Sequence, residues 1–143
     1  MADNIRRVTV SWQGGLLFSG GAPGGPAITI DGDVKTAPGP MHQLLLAIAS
    51  CSGSDVVLIL EKMRITLTEF GIDVEGVRRI DDPKRLTAVK LSYRLTGEGL
   101  DEAKARRAID LSIERYCSVI HSLNPDIPIS YELAIGGRAT AQG

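Results

Sequence analysis

Leu44-Leu45-Leu46-Ala47-Ile48-Ala49-Ser50-Cys51-Ser52-Gly53-Ser54-Asp55-Val56-Val57-Leu58-Ile59-Leu60 is the stretch on which the reading of this chain turns. Pro38-Gly39-Pro40 precedes it, and proline in the first turn suits a helix start. From Met41 to Met63 apolar side chains occupy most of the helical circumference, and a helix apolar nearly all round is buried on several sides. The pattern therefore predicts one long central helix over 38–64. Ser50, Ser52, Gly53 and Ser54 are weak helix formers gathered about Cys51, so a bend or break is expected there. Glu61, Lys62 and Arg64 mark the exit to solvent.

Before this helix the chain reads as short strands within 1–35. Val8, Val10 and Trp12 alternate with Thr9 and Ser11, Gln13-Gly14-Gly15 supplies a hairpin turn, and Leu16-Leu17-Phe18 follows. Ala27-Ile28-Thr29-Ile30 is a third strand. The loop Gly20-Gly21-Ala22-Pro23-Gly24-Gly25 has neither phosphate-binding glycine spacing nor a helix behind it, which argues against a nucleotide cradle. After the helix, two strands fill 65–97, the second alternating Val89, Leu91, Tyr93 and Leu95 with polar residues, as on a sheet with one wet face.

A second helix is predicted over 101–124, with Asp101-Glu102 at its N-terminus. Its apolar stripe is Ala105, Ile109, Ile113, Tyr116, Cys117 and Ile120, and it stops at Asn124-Pro125. A last strand alternates through 127–137. The order β-β-β-α-β-β-α-β in one domain over 1–143 is α+β. One small sheet cannot cover so apolar a central helix on all sides, so a dimer that shares the two central helices is expected.

The 143 residues carry 16 Lys and Arg against 17 Asp and Glu, a net charge of −1, which removes the electrostatic case for nucleic-acid binding. The first residues lack the apolar run of a signal peptide, and the uninterrupted apolar run from Leu44 to Ala49 is too short to span a membrane. The expected location is the cytoplasm, and no membrane partner is expected. In a reducing compartment two cysteines are catalytic, sensing or simply buried more often than a permanent disulfide.

Cys51 and Cys117 are the only cysteines. Cysteine packs readily as a small buried hydrophobe, which is the plain alternative to a chemical role. Nothing local to Cys51 creates a thiolate, and Asp55, one turn later, disfavours one. Arg6, Arg7, Arg78, Arg79 and Arg115 are candidate cations for it. His121 is four residues beyond Cys117, which on a continuous helix puts imidazole and thiol on one face, as a base or as a helix-end cation. His42 stands near the start of the central helix. Two cysteines and two histidines without a close ligand pair argue against a zinc site.

Val10-Ser11-Trp12-Gln13-Gly14-Gly15 with Phe18, Gly39-Pro40 leading to Cys51-Ser52-Gly53, and Asp55-Val56-Val57 with Lys62-Met63-Arg64 together resemble the OsmC/Ohr family. The OsmC-like branch is the nearer one. Ala108 to Ser112 and Arg115 to Val119 are similar to that family's second-cysteine helix. The resemblance implies curved antiparallel sheets around two central buried helices in an intertwined homodimer, with sites at the subunit interface. It implies that Cys51 attacks an organic hydroperoxide, that Cys117 resolves the product as a disulfide, and that a dithiol, such as protein-bound lipoyl, reduces it. No metal, flavin or haem is implied.

The family's peroxidases pair an arginine from the first hairpin with a glutamate early in the central helix. Gly14 to Phe18 holds no basic residue, and Met41, His42 and Gln43 stand where the acid belongs. His42 and Gln43, with His121, are the supporting residues expected here. The alternative function is a non-peroxidatic OsmC-like protein that binds a small apolar or thiol ligand.

Overall fold

The computed structural model describes residues 4–136 and 138–139. The chain divides into two compact units, Met1–Leu44 and Leu45–Gly143.

The first unit holds an antiparallel sheet of β1 (Thr9–Trp12), β2 (Leu17–Gly21) and β3 (Ile28–Asp31) in that order. Gly14 and Gly15 both have positive φ, the conformation a tight hairpin requires and glycine takes at little cost. The Trp12 indole N–H closes the turn by donating to the Gly15 carbonyl at 2.9 Å. After β3 the buried Asp31 carboxylate accepts the backbone N–H groups of Asp33, Lys35 and Thr36. Those bonds hold Val34, a β-branched residue, at the strained φ of 56°. Helix α1 (Pro40–Lys62) starts immediately beyond this loop.

The second unit contains α1 from Leu45 onward and a sheet in the order β4 (Thr66–Arg78), β5 (Leu86–Glu98), β6 (Ile129–Ile135), β7 (Arg138–Ala139). β5 is its centre: Val89, Leu91, Tyr93 and Leu95, the residues picked out by alternation, are all buried. Ile48, Val56 and Leu60 of α1 and Ala105, Ala108 and Ile109 of α2 (Glu102–Leu111) complete this core. β5 and β6 pair in parallel, because a helical crossover rather than a hairpin joins them, so the sheets are not wholly antiparallel.

Three expectations are corrected. First, α1 is continuous through Ser50–Ser54. Ser50 and Ser54 hydroxyls donate back to the carbonyls of Ala47 and Ser50, and the helix absorbs the weak formers in that way. Second, the predicted second helix is three pieces. α2 ends at Leu111, a π-helical turn spans Ser112–Tyr116, and Cys117 has extended backbone before the short α3 (Ser118–His121). Third, α1 is not covered on several sides within the chain: Leu46 and Leu58 are more than half exposed. By length and composition α1 is also the one helix among the described residues that could cross a membrane.

Candidate functional site

Two neighbouring stretches of the second unit build the site. Cys51 and Asp55 are one turn apart on α1, so their side chains leave the helix on the same side. The π-helical turn then supplies Ser112 and Cys117. The Cys117 N–H donates to the Ser112 carbonyl at 2.7 Å, a closure over five residues in place of four. That extra residue brings both Ser112 and Cys117 to the buried face, while Tyr116, expected on the apolar stripe, is exposed. Cys51 Sγ, Cys117 Sγ and an Asp55 carboxylate oxygen all lie within 4.8 Å of one another.

A buried hydroxyl chain ends at this cluster. Tyr93 Oη is 2.7 Å from Ser52 Oγ, Ser52 Oγ is 2.9 Å from Ser112 Oγ, and Ser112 Oγ is 3.0 Å from Asp55 Oδ2. A carboxylate only accepts, so the Ser112 hydroxyl donates to Asp55, and it is also the donor toward Ser52 Oγ. Between Tyr93 and Ser52 either hydroxyl can donate. Burial pushes the Tyr93 phenol well above its ordinary range, so it keeps its proton.

The two thiols differ. Cys117 is fully buried and caps α3, its sulfur accepting the Ile120 N–H at 3.4 Å. Burial pushes its thiol up to about 11 against the opposing pull of that N–H, and the neighbouring Cys51 pushes it further in the same direction. Cys51 is half-buried and is the more accessible sulfur. Both are free thiols.

Of the residues expected from the sequence, Cys51 and Cys117 are brought together. His121 is not placed as a base for Cys117: its Nε2 is 3.1 Å from the Ile113 carbonyl, because the helix that would align residues 117 and 121 begins only after Cys117. His42, exposed, and Gln43 belong to the first unit. Gln43 donates to the carbonyls of Thr29 and Pro38, which ties the start of α1 to β3. Among the candidate cations, Arg78 donates to the Lys84 carbonyl and Arg115 stacks on Tyr116. Among the described residues no ion pair reaches Asp55. Sequence reasoning missed Ser52, Tyr93 and Ser112 as site residues; the one available signal was Asp55, an acid one turn after a helical cysteine.

Known proteins give this arrangement a context. Residues 31–132 match the profile of the OsmC family, described as OsmC-like protein. Protein YhfA of Escherichia coli K12 is 36% identical over 127 residues, covering 88% of this chain and 95% of that protein. The OsmC-like protein of Mycoplasma pneumoniae has a TM-score of 0.80 at 18% identity, covering 94% of this chain and 99% of that one. The organic hydroperoxide resistance protein OhrB of Bacillus subtilis has a TM-score of 0.63 at 16% identity, covering 92% and 99% respectively. The latter two establish likeness of fold.

Proposed function

We propose that this chain, which belongs to the OsmC-like protein family, reduces organic hydroperoxides through Cys51 and Cys117. The observation that carries the reading is the convergence of the two sulfurs, one half-buried and one buried, within 4.8 Å. Cys51, as thiolate, attacks the terminal peroxide oxygen. The O–O bond breaks, the alkoxide leaves with a proton as an alcohol, and Cys51 becomes a sulfenic acid. The Cys117 thiol then attacks that sulfur, the two form a disulfide, and water leaves. An external dithiol, such as protein-bound lipoyl, returns both to thiols by exchange and is itself oxidised to a disulfide. The apolar surroundings of Cys51 on α1 suit a greasy peroxide.

The proposal includes a homodimer in the cytoplasm. An open groove of about 660 Å³ runs along α1 between Leu46, Val57, Leu58, Phe70 and Ile72. A second copy covers this face in the proposed assembly. Gel filtration with light scattering reads the subunit number directly.

A specific observation favours a second reading, a binder of small apolar or thiol ligands. Among the described residues Asp55, beside Cys51, has no ion pair. The deciding experiment incubates reduced protein with cumene hydroperoxide and dihydrolipoamide and follows peroxide loss. Turnover that disappears in Cys51→Ser, and that leaves a stable sulfenic acid in Cys117→Ser, supports the peroxidase. Peroxide that persists with wild-type protein overturns it in favour of the binder. His42→Ala, assayed alongside, tests whether that histidine assists Cys51: an unchanged rate removes it from the mechanism.

A further inference from the structure

We infer that Cys51, Asp55 and Cys117 form a binding site for a soft divalent cation of the zinc class, held by two thiolates and one carboxylate with a fourth position open. The donor set is the first argument. Thiolate sulfur selects zinc-like ions over calcium or magnesium, and a carboxylate completes such sets without changing that preference. In a tetrahedral zinc site with metal–ligand bonds of about 2.0–2.3 Å, ligand atoms stand roughly 3.5–3.8 Å apart. The three atoms here already lie within 4.8 Å of one another, so only a small contraction closes them on an ion.

The mounting is the second argument. Cys51 and Asp55 occupy positions i and i+4 of a 23-residue helix, and Cys117 is pinned as the cap of α3. Two of the ligands also have outer partners of the kind that orient metal ligands. Asp55 Oδ2 accepts Ser112 Oγ–H at 3.0 Å, at the end of the hydroxyl chain from Tyr93, which leaves lone pairs of the carboxylate for a cation. Cys117 Sγ accepts the Ile120 N–H at 3.4 Å, which fixes its direction. Charge is the third argument: a carboxylate beside two sulfurs has no cationic side chain paired with it among the described residues. The donor set differs from the Cys and His combination that the sequence brings to mind, since neither His42 nor His121 takes part.

This inference goes beyond the peroxide chemistry and does not depend on it. A bound cation occupies both thiolates, so it shields Cys51 and competes with hydroperoxide.

The test uses the full chain, reduced and metal-free, without peroxide. Cobalt(II) titration is expected to saturate at one ion per chain, with sulfur-to-cobalt charge transfer and the intense visible bands of a tetrahedral ion. Zinc is expected to displace the cobalt. Asp55→Asn is expected to weaken zinc binding at least about 10-fold, and Cys51→Ser and Cys117→Ser by more than about 100-fold, as ligand losses exceed outer-partner losses of about 10–100-fold. Circular dichroism on each variant confirms folding, and Asp55→Asn keeps the test decisive should a cysteine variant unfold. Failure of wild-type protein to bind cobalt overturns the proposal, and so does equal zinc affinity of wild type and folded Asp55→Asn. Neither result bears on peroxide turnover.

Discussion

Changing the length of the segment between Ser112 and Cys117 tests why the two sulfurs meet. In a regular helix each residue advances by about 100°, so Cys117 would stand about 140° around from Ser112. The π-helical closure absorbs one residue and brings both onto the buried face. Deleting the exposed Glu114 leaves four residue steps from Ser112 to the cysteine, an advance of about 40° in a plain α-turn. Cys117 then keeps its place. Inserting one alanine after Glu114 makes six steps, an advance of about 240°, and carries the sulfur away from Cys51. It also draws Cys117 and Ile120 out of the core, at a cost on the order of 2–4 kcal/mol. The assay is diamide-driven disulfide formation, followed by loss of free thiols and by mass under non-reducing conditions. The deletion variant should oxidise within a few-fold of wild type. The insertion variant should be slower by at least about 100-fold, the scale of an ångström-sized misplacement of reacting groups. A folded deletion variant that fails to form the disulfide, or an insertion variant that forms it normally, refutes the argument.

Three further outcomes follow from the same contacts. Three backbone N–H groups hold the Asp31 carboxyl down at about 2, below its ordinary value, so its contribution is complete above about pH 4 and is lost as pH falls through 2; Asp31→Asn should flatten that acid limb and speed amide exchange at Asp33, Lys35 and Thr36, and unchanged exchange refutes it. Tyr93→Phe removes one hydroxyl at the far end of the chain and should cost about 1 kcal/mol in urea unfolding, whereas Ser112→Ala removes the donor to both Asp55 and Ser52 and should cost about 2–3 kcal/mol; the reverse ranking would contradict the donor role of Ser112. A Cβ at Gly97 would lie 2.7 Å from the Thr66 carbonyl oxygen and 3.2 Å from Leu67 Cα, both backbone atoms of the paired strand, so Gly97→Ala should destabilise by about 1–3 kcal/mol by overpacking; an unchanged denaturation midpoint refutes it.

Period-two alternation identified β5 because every second residue of Val89, Leu91, Tyr93 and Leu95 is buried. The hairpin at Gly14-Gly15 was legible for a similarly local reason: only a few residue types accept positive φ there. The π-helical turn has no such signature, since its five-residue closure depends on where Ser112 and Cys117 find partners on α1. Once that residue is absorbed, the stripe runs through Ala108 and Ser112 instead of Ile113 and Tyr116. The site's polar half was hidden for the same reason. Tyr93 reads as an apolar strand position, yet its hydroxyl partner is Ser52, 41 residues upstream. Serines at 50, 52 and 54 looked like a helix defect; two of them bond back to their own helix and the third enters the site.

The electrostatics of the site link its two proposed chemistries. Asp55 is the acceptor end of the hydroxyl chain and places one negative charge within 4.8 Å of both sulfurs. Burial pushes the Cys117 thiol up to about 11, which keeps that sulfur neutral. A disulfide adds no charge, because it replaces two neutral thiols with a neutral bond. A dication makes Asp55 and both sulfurs attractive partners. The arrangement thus suits two end states, an oxidised pair or a metal-bound one. A site with an arginine at the sulfur would instead stabilise the standing thiolate. Asp55 therefore decides how the site meets a cation: removing its charge should weaken the hold on a dication while both thiols stay in place.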